Sequence, residues 1–476
     1  MLFNSIDFAL FLPLVFALYW AFFYQDIKWR NVFLLAASYL FYGWWDGRFL
    51  FLILFSSLVD YGVGLALHKT ESNQRRKQWL ALSLVVNLGL LGYFKYANFF
   101  ITAFVDAFSI LGTSISPWSL QLILPVGISF YTFQTLSYTI DVYRRKIAPT
   151  RDIWAFLAYV SFFPQLVAGP IERAASLLPQ FGVAKKFDYI KARAGLQLIL
   201  WGLFKKMVVA DNCAYWVDTI FGQVESQSSL VLVLGAVLFA FQIYGDFSGY
   251  SDIAIGTARL FGFELRRNFA YPYFSRDVAE FWRRWHISLS SWFRDYLYIP
   301  LGGSRGSKGQ QVRNVLIVFV ISGFWHGANW TFIVWGGLNG LLFLPLILWN
   351  RNRRYLDTVA NKKWLPGLKE GLNMLLTFGL VSLAWVFFRS ASVQDAWLYL
   401  VGIGQGTWGG IKIDMFFPVL AIIFMLVLEW CSRTEEILVV FQAKNYWVRW
   451  SAYFMVAMAI LLFAPSTPSV FIYFQF

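Results

Sequence analysis

Cysteine is almost absent: Cys213 and Cys431 are the only two in 476 residues. Thiols so few and so far apart support neither a disulfide framework nor a thiolate metal site. There are only 3 histidines, His68, His286 and His326, too few to make a catalytic metal the expected chemistry. Charge is sparse as well, at 14% of residues against about 25% in a soluble domain. No polar stretch is long enough to fold as a separate soluble domain. The chain also lacks an H-E-x-x-H helix and a Walker loop, so the motif-bearing zincin and NTPase classes are not indicated.

What is present is apolar. Hydrophobic residues make up 58% of the chain and aromatics 20%, with 50 Phe, 24 Tyr and 23 Trp, a composition that suits lipid-facing surfaces and interfacial belts. Runs able to span a bilayer fall near 7–24, 31–45, 49–67, 79–104, 119–142, 194–212, 229–250, 313–329, 331–349, 371–388, 415–431 and 447–464. They predict an all-α polytopic membrane protein of about 11–13 spans: one integral domain over 1–464, then a short tail over 465–476. The first run has no basic leader and no small-residue cleavage site, so it reads as a retained span, not a signal peptide.

The net charge of +14 raises the question of nucleic acid. The basic residues, however, sit in short loops and form no continuous face, which points to cytoplasmic loop enrichment and no nucleic-acid partner. Lys28 and Arg30, then 73–77, then 144–146 with Arg151 alternate with charge-poor loops, which places the N-terminus outside. The basic segment 173–193 keeps to the same side only if 153–172, interrupted by Pro164, Gly169 and Pro170, is re-entrant or buried. The same holds for 278–300, too rich in arginine to face lipid. Loops 304–313 and 351–363 then fall inside and the C-terminus outside. No internal repeat is visible, which speaks against a transporter of paired halves.

Two histidines occupy mostly apolar, strongly patterned segments: His286 in FWRRWHISLSSWFRDYLYIPLGG and His326 in NVLIVFVISGFWHGANW. An imidazole at membrane depth is a functional-site hypothesis by default. On a helix starting near Arg313, His326 lies ~20 Å along, near or past the middle of a ~30 Å hydrocarbon core. That depth suits a general base serving substrates from opposite sides. Helical spacing predicts Ser322, Gly323 and Asn329 on its face, Gly323 opening space and the other two orienting the ring. The competing reading is a neutral histidine bridging two helices. Beside His286, Arg283, Arg284 and Arg294 with Trp285 offer either phosphate and adenine contacts for a nucleotide-like cofactor or an interfacial helix on lipid phosphate. Asp246 and Asp252 read as a proton relay or as partners of the arginines at 266–267 or 283–284. His68, at the start of a basic loop, reads as solvated. The tail FIYFQF (471–476) docks either as an interfacial anchor or with the Tyr473 hydroxyl in a cavity.

Together NVFLLAASYLFYGWW (31–45), LGYFKYANFF (91–100), LPVGISFYTFQTLSYTIDVYR (124–144), AGPIER (168–173), DFSGYSDIAIG (246–256), the 280–303 segment and FWHGANWTFIVWG (324–336) resemble the membrane-bound O-acyltransferase (MBOAT) family. The likeness is strongest to the bacterial branch acting in alginate, peptidoglycan and cellulose O-acetylation, and weakens over 350–460. It implies a ring-like bundle with re-entrant elements and a thin central waist. It also implies transfer of an acyl group from a cytoplasmic thioester to a hydroxyl on the other side. By the same resemblance His326 and His286 are the family's two histidines, acetyl-CoA is donor substrate with no permanently bound cofactor, and Tyr473 in an F-x-Y-x-x-F motif receives the acetyl group. A periplasmic SGNH-type acetyltransferase would pass it to a polysaccharide, the protein residing in the bacterial inner membrane. D-alanyl transfer of the teichoic-acid type, and a non-catalytic transporter of an acyl donor, are the alternatives.

Overall fold

The structure is a computed structural model that describes all residues except 114, 115, 117, 168, 362, 411, 467, 468, 470, 475 and 476. Among the described residues the regular structure is entirely helical. Among the described residues eight helical stretches are long and apolar enough to cross a membrane: Ile6–Phe23, Phe49–Lys69, Asn73–Ile110, Ser229–Leu260, Trp330–Leu348, Leu368–Arg389, Ile413–Cys431 and Tyr446–Phe463. The protein is a polytopic membrane protein. It divides into two compact units, 1–195 with 257–266, and 196–256 with 267–476.

The first unit contains α1 (Ile6–Leu18), α2 (Ile27–Asp46), α3 (Phe49–Lys69), α4 (Asn73–Leu91), α5 (Ala97–Ile110), α6 (Ile128–Tyr143), α7 (Ile153–Ser161), α8 (Phe163–Leu166), α9 (Ala174–Phe181) and the start of α10 (Tyr189–Leu203). Short polar side chains start several of them: Asp26 accepts from the Trp29 amide and Asp152 from those of Trp154 and Ala155, satisfying donors that a helix N-terminus leaves open. Helices α3, α4 and α6 pack together around Asp60, which is fully buried. Its carboxylate accepts from Ser83, from Asn87 at 2.8 Å and from Thr139 at 3.1 Å, which offsets the cost of burying it. The break expected in 153–172 falls at Phe162, between α7 and α8, with Pro164 in the first turn of α8. Nearly every described residue of this stretch is buried. The span expected over 119–142 is shorter, because helix begins only at Ile128. Gly127 stands at φ +75°, and a Cβ there would meet the Leu166 carbonyl at 2.7 Å, so both conformation and space demand glycine.

In the second unit the end of α10 runs through a π-helical turn, Phe204–Ala210, into α11 (Asp211–Gly222), followed by most of α12 (Ser229–Leu260). The arginine-rich segment 278–300 forms two short helices, α13 (Val278–Arg284) and α14 (Ile287–Phe293), split at Trp285–His286. Then come α15 (Lys308–His326), α16 (Trp330–Leu348), α17 (Leu368–Arg389), α18 (Val393–Gln405), α19 (Phe416–Cys431) and α20 (Tyr446–Phe463). A capping box between Ser307 and Gln310 starts α15. Helices α15 and α16 make a hairpin that closes at Gly323 and Gly336. A Cβ on either would lie 2.2 Å from the Phe332 carbonyl oxygen or 2.4 Å from that of Phe319.

Candidate active site

His326 is the last residue of α15, because the chain leaves helical geometry at Gly327. Asn329 therefore does not share its helical face. It caps α16 by accepting from the Thr331 amide, and it donates to the Ala391 carbonyl at 2.9 Å. Gly323 clears space for α16, not for the imidazole. The expectation that these two residues serve His326 directly is corrected on both counts, since it assumed a helix running through 329. The ring of His326 is 2% exposed and packs edge-on to Trp335 at 5.1 Å and Phe388 at 5.5 Å.

His286 stands at the break between α13 and α14 with φ +43°, a left-handed conformation that costs a non-glycine residue ~1–2 kcal/mol. Such strain persists where the surroundings enforce it, and here Asn268 does. Its Oδ1 accepts from the Ser288 amide at 3.3 Å and the Ser288 hydroxyl at 2.9 Å, while its Nδ2 donates to Ser251 at 3.1 Å. The same Oδ1 lies 3.1 Å from His286 Nδ1, so Nδ1 must carry the proton. That fixes the neutral tautomer with the lone pair on Nε2, a buried atom with no hydrogen-bond partner among the described residues. Nε2 is thereby left as the hydrogen-bond acceptor of the ring.

The tail arrives between the two histidines. The Tyr473 ring lies 5.5 Å from that of His326 and 6.5 Å from that of His286, with the histidines 6.4 Å apart. Its hydroxyl is shielded from solvent. Phe247 stands 4.5 Å from Tyr473 and 4.6 Å from His286, forming a wall common to both. Phe471 and Ile472 are buried; Gln475 and Phe476, the end of the expected motif, lie outside the described residues.

A cavity of about 250 Å³ lies beside α15. Its wall is Trp282, Leu289, Phe293, Val318 and Phe319, and it reaches Ser322, one helical turn before His326. The other end is polar, lined by Arg294, Ser304, Gln311, Asn352 and Arg353. Of the four residues expected to hold a nucleotide, only Arg294 lines it. Arg283 donates to the carbonyls of Asn352 and Tyr355, fastening that segment at 2.8 and 2.6 Å. Arg284 is paired with Glu280 at 2.8 Å and also donates to the Ala270 carbonyl. Trp285 is fully buried, its ring 5.1 Å from Trp385 and 5.0 Å from Phe269. Asp252 pairs with Lys205 at 2.7 Å and Asp246 with Lys206 at 2.7 Å, so lysines replace the arginine partners expected for them. His68 is exposed, as expected.

A profile of the membrane-bound O-acyltransferase family matches residues 145–383. The chain belongs to that family. It is 41% identical over 412 residues to a protein of Pseudomonas aeruginosa named "Probable alginate O-acetylase AlgI", covering 86% of this chain and 76% of that one. It is 34% identical over 495 residues to the peptidoglycan O-acetyltransferase of Helicobacter pylori, covering 94% and 91%. With the teichoic acid D-alanyltransferase of Streptococcus thermophilus it shares 28% over 290 residues, 57% of this chain and 69% of the other. The protein is thus an O-acyltransferase of the MBOAT family, and its relatives act in the O-acetylation of alginate and peptidoglycan. The acyltransferase's profile match takes in both histidines and the cavity but stops short of the tail that carries Tyr473.

Proposed function

We propose that this acyltransferase takes acetyl from cytoplasmic acetyl-CoA and loads it onto Tyr473, from which a periplasmic SGNH-type partner transfers it to an exported or envelope polysaccharide. The observation that carries the reading is the tyrosine of the tail standing within 6.5 Å of two buried imidazole rings. The cavity supports the donor side. Its polar end lies among the basic loops 304–313 and 351–354, and basic loops of a membrane protein face the cytoplasm. A volume of about 250 Å³ is below the roughly 300–1,000 Å³ of drug-sized pockets. It suits the thin pantetheine arm, with the nucleotide left at the mouth beside Arg294 and Arg353. The arm would present its thioester near Ser322 and His326.

The Tyr473 oxygen attacks the thioester carbonyl carbon. The new C–O bond forms as the C–S bond breaks, and the phenolic proton passes through His326 to the departing CoA sulfur. His286, with its lone pair on Nε2, is placed to share that proton transfer. Holding phenol, base and thioester together converts an encounter of two reactants into an intramolecular step. The C-terminus then faces the periplasmic side of the inner membrane.

Cells carrying His326→Ala or Tyr473→Phe, each inserted at wild-type levels, are expected to lose ester-linked acetate from the polymer. Normal acetylation with Tyr473→Phe would refute the carrier role and favour direct transfer to an acceptor meeting His326.

A further inference from the structure

Lys206 lies in the π-helical turn between α10 and α11 and its side chain is fully buried. Its ammonium sits 2.8 Å from Asp211 Oδ1 and 2.7 Å from Asp246 Oδ1. Close backbone approach makes this possible: a Cβ on Gly249 would be 2.7 Å from the Gly202 carbonyl oxygen, and one on Gly245 2.9 Å from that of Lys205. One ammonium faces two carboxylates, so the buried cluster carries surplus negative charge and needs further donors.

The tail supplies them. The Ile472 amide donates to Asp246 Oδ2 at 2.7 Å, and the Ser469 hydroxyl donates to Asp211. In return Lys206 donates to the Ser469 carbonyl at 3.0 Å and to its hydroxyl oxygen at 3.2 Å. Four hydrogen bonds therefore grip Ser469 and Ile472, the latter leading directly into Tyr473. The residue after Asp246 is Phe247, whose ring touches both Tyr473 and His286. A purely structural ion cluster would join α10–α11 to α12 without these bonds to the tail.

We infer that Lys206, completed by Asp211 and Asp246, is a positioning residue that docks the C-terminal tail and sets Tyr473 against the histidines. The inference rests on Tyr473 being the acetyl acceptor. An undocked tail leaves the carboxylates short of donors, so docking and cluster integrity are coupled. When the grip is lost, a thioester in the site is spent on water, giving acetate and CoA with no acetyl-tyrosine.

The test uses full-length protein in detergent with acetyl-CoA, measuring both CoA thiol released and acetyl on the C-terminal peptide. Lys206→Met is expected to lower the ratio of tail acetyl to released CoA at least tenfold, with Lys206→Arg recovering part of it. Ser469→Ala, which leaves the ion cluster's side chains in place, is expected to lower the ratio severalfold and keeps the test open if Lys206→Met fails to fold. In a Tyr473→Phe background Lys206→Met should have no further effect on CoA release. A wild-type ratio in both Lys206→Met and Ser469→Ala, or tail acetyl and CoA falling in proportion, overturns the positioning role while leaving Tyr473 as acceptor. A wild-type tail that never carries acetyl defeats the acceptor reading, and the positioning role with it.

Discussion

Gly323→Ala isolates the α15–α16 contact from the chemistry it serves. The new methyl would lie 2.2 Å from the Phe332 carbonyl oxygen and 3.1 Å from the Gly336 Cα. Both are backbone atoms of α16, so no side-chain rotation relieves the clash. Restoring an ordinary contact of at least 3.4 Å takes a separation of roughly 1 Å between the helices. His326 is three residues further along α15, held against Trp335 of α16 at 5.1 Å, and must move with it. A displacement of about 1 Å in a positioned catalytic group costs ~10²-fold in rate, which corresponds to ~2.7 kcal/mol of barrier. Gly337 is the control, since a Cβ there meets nothing within 4 Å, and a helical Gly→Ala change in open space stabilises by ~0.5–1 kcal/mol. Tail acetylation from acetyl-CoA, measured beside thermal unfolding in detergent, should show Gly323→Ala slow and Gly337→Ala unimpaired. A Gly323→Ala protein with wild-type rate would refute the argument that helix separation places His326.

Asn268→Ala removes the acceptor that fixes the His286 tautomer and orphans buried donors at ~1–3 kcal/mol each; transfer is expected to fall ~10²-fold, with Asn268→Asp recovering much of it, and an unaffected Asn268→Ala would contradict the tautomer assignment. Arg353→Glu and Arg294→Glu should raise KM for acetyl-CoA about tenfold per residue with little change in kcat, an effect that shrinks with added salt; a change confined to kcat would place the donor elsewhere. Lys185, in the loop between α9 and α10, has its pKa lowered from 10.5 to about 8 by burial, with Arg30 and Lys191 adding to the effect. The unfolded chain then binds the extra proton between about pH 8 and 10.5, so stability rises with pH across that window. Lys185→Met should flatten that rise in unfolding temperature, and an unchanged slope would count against it.

The residues of the candidate site differ in how clearly sequence marks them, for a physical reason. Imidazoles and a docked aromatic tail are costly or unusual in an apolar chain, so His286, His326 and Tyr473 stood out by type alone. Asn268 did not, because an amide in a loop carries no such signal until its partners are known. Lys206 had a signal that went unused: two adjacent lysines and Asp211 inside the apolar run 194–212 are intramembrane ionisable groups by the same rule. Its pairing with Asp246, across 40 residues of sequence, comes from the close packing at Gly202 and Gly249, which spacing cannot reveal. The roles expected of Asn329 and Gly323 failed because α15 ends at His326, a boundary that helical periodicity alone does not mark. The 281–294 arginines read as one phosphate-binding group, yet Arg283 ties a backbone segment and Arg284 pairs with Glu280, while Arg294 lines the cavity. Residue type did not distinguish them.

Acetyl is proposed to reside on Tyr473 during turnover. Purified protein given isotopically labelled acetyl-CoA for a single turnover, then quenched and digested, can be read by tandem mass spectrometry of its C-terminal peptide. One labelled acetyl is expected on the Tyr473 oxygen, absent from His326→Ala. An unlabelled tail alongside complete release of CoA would contradict it.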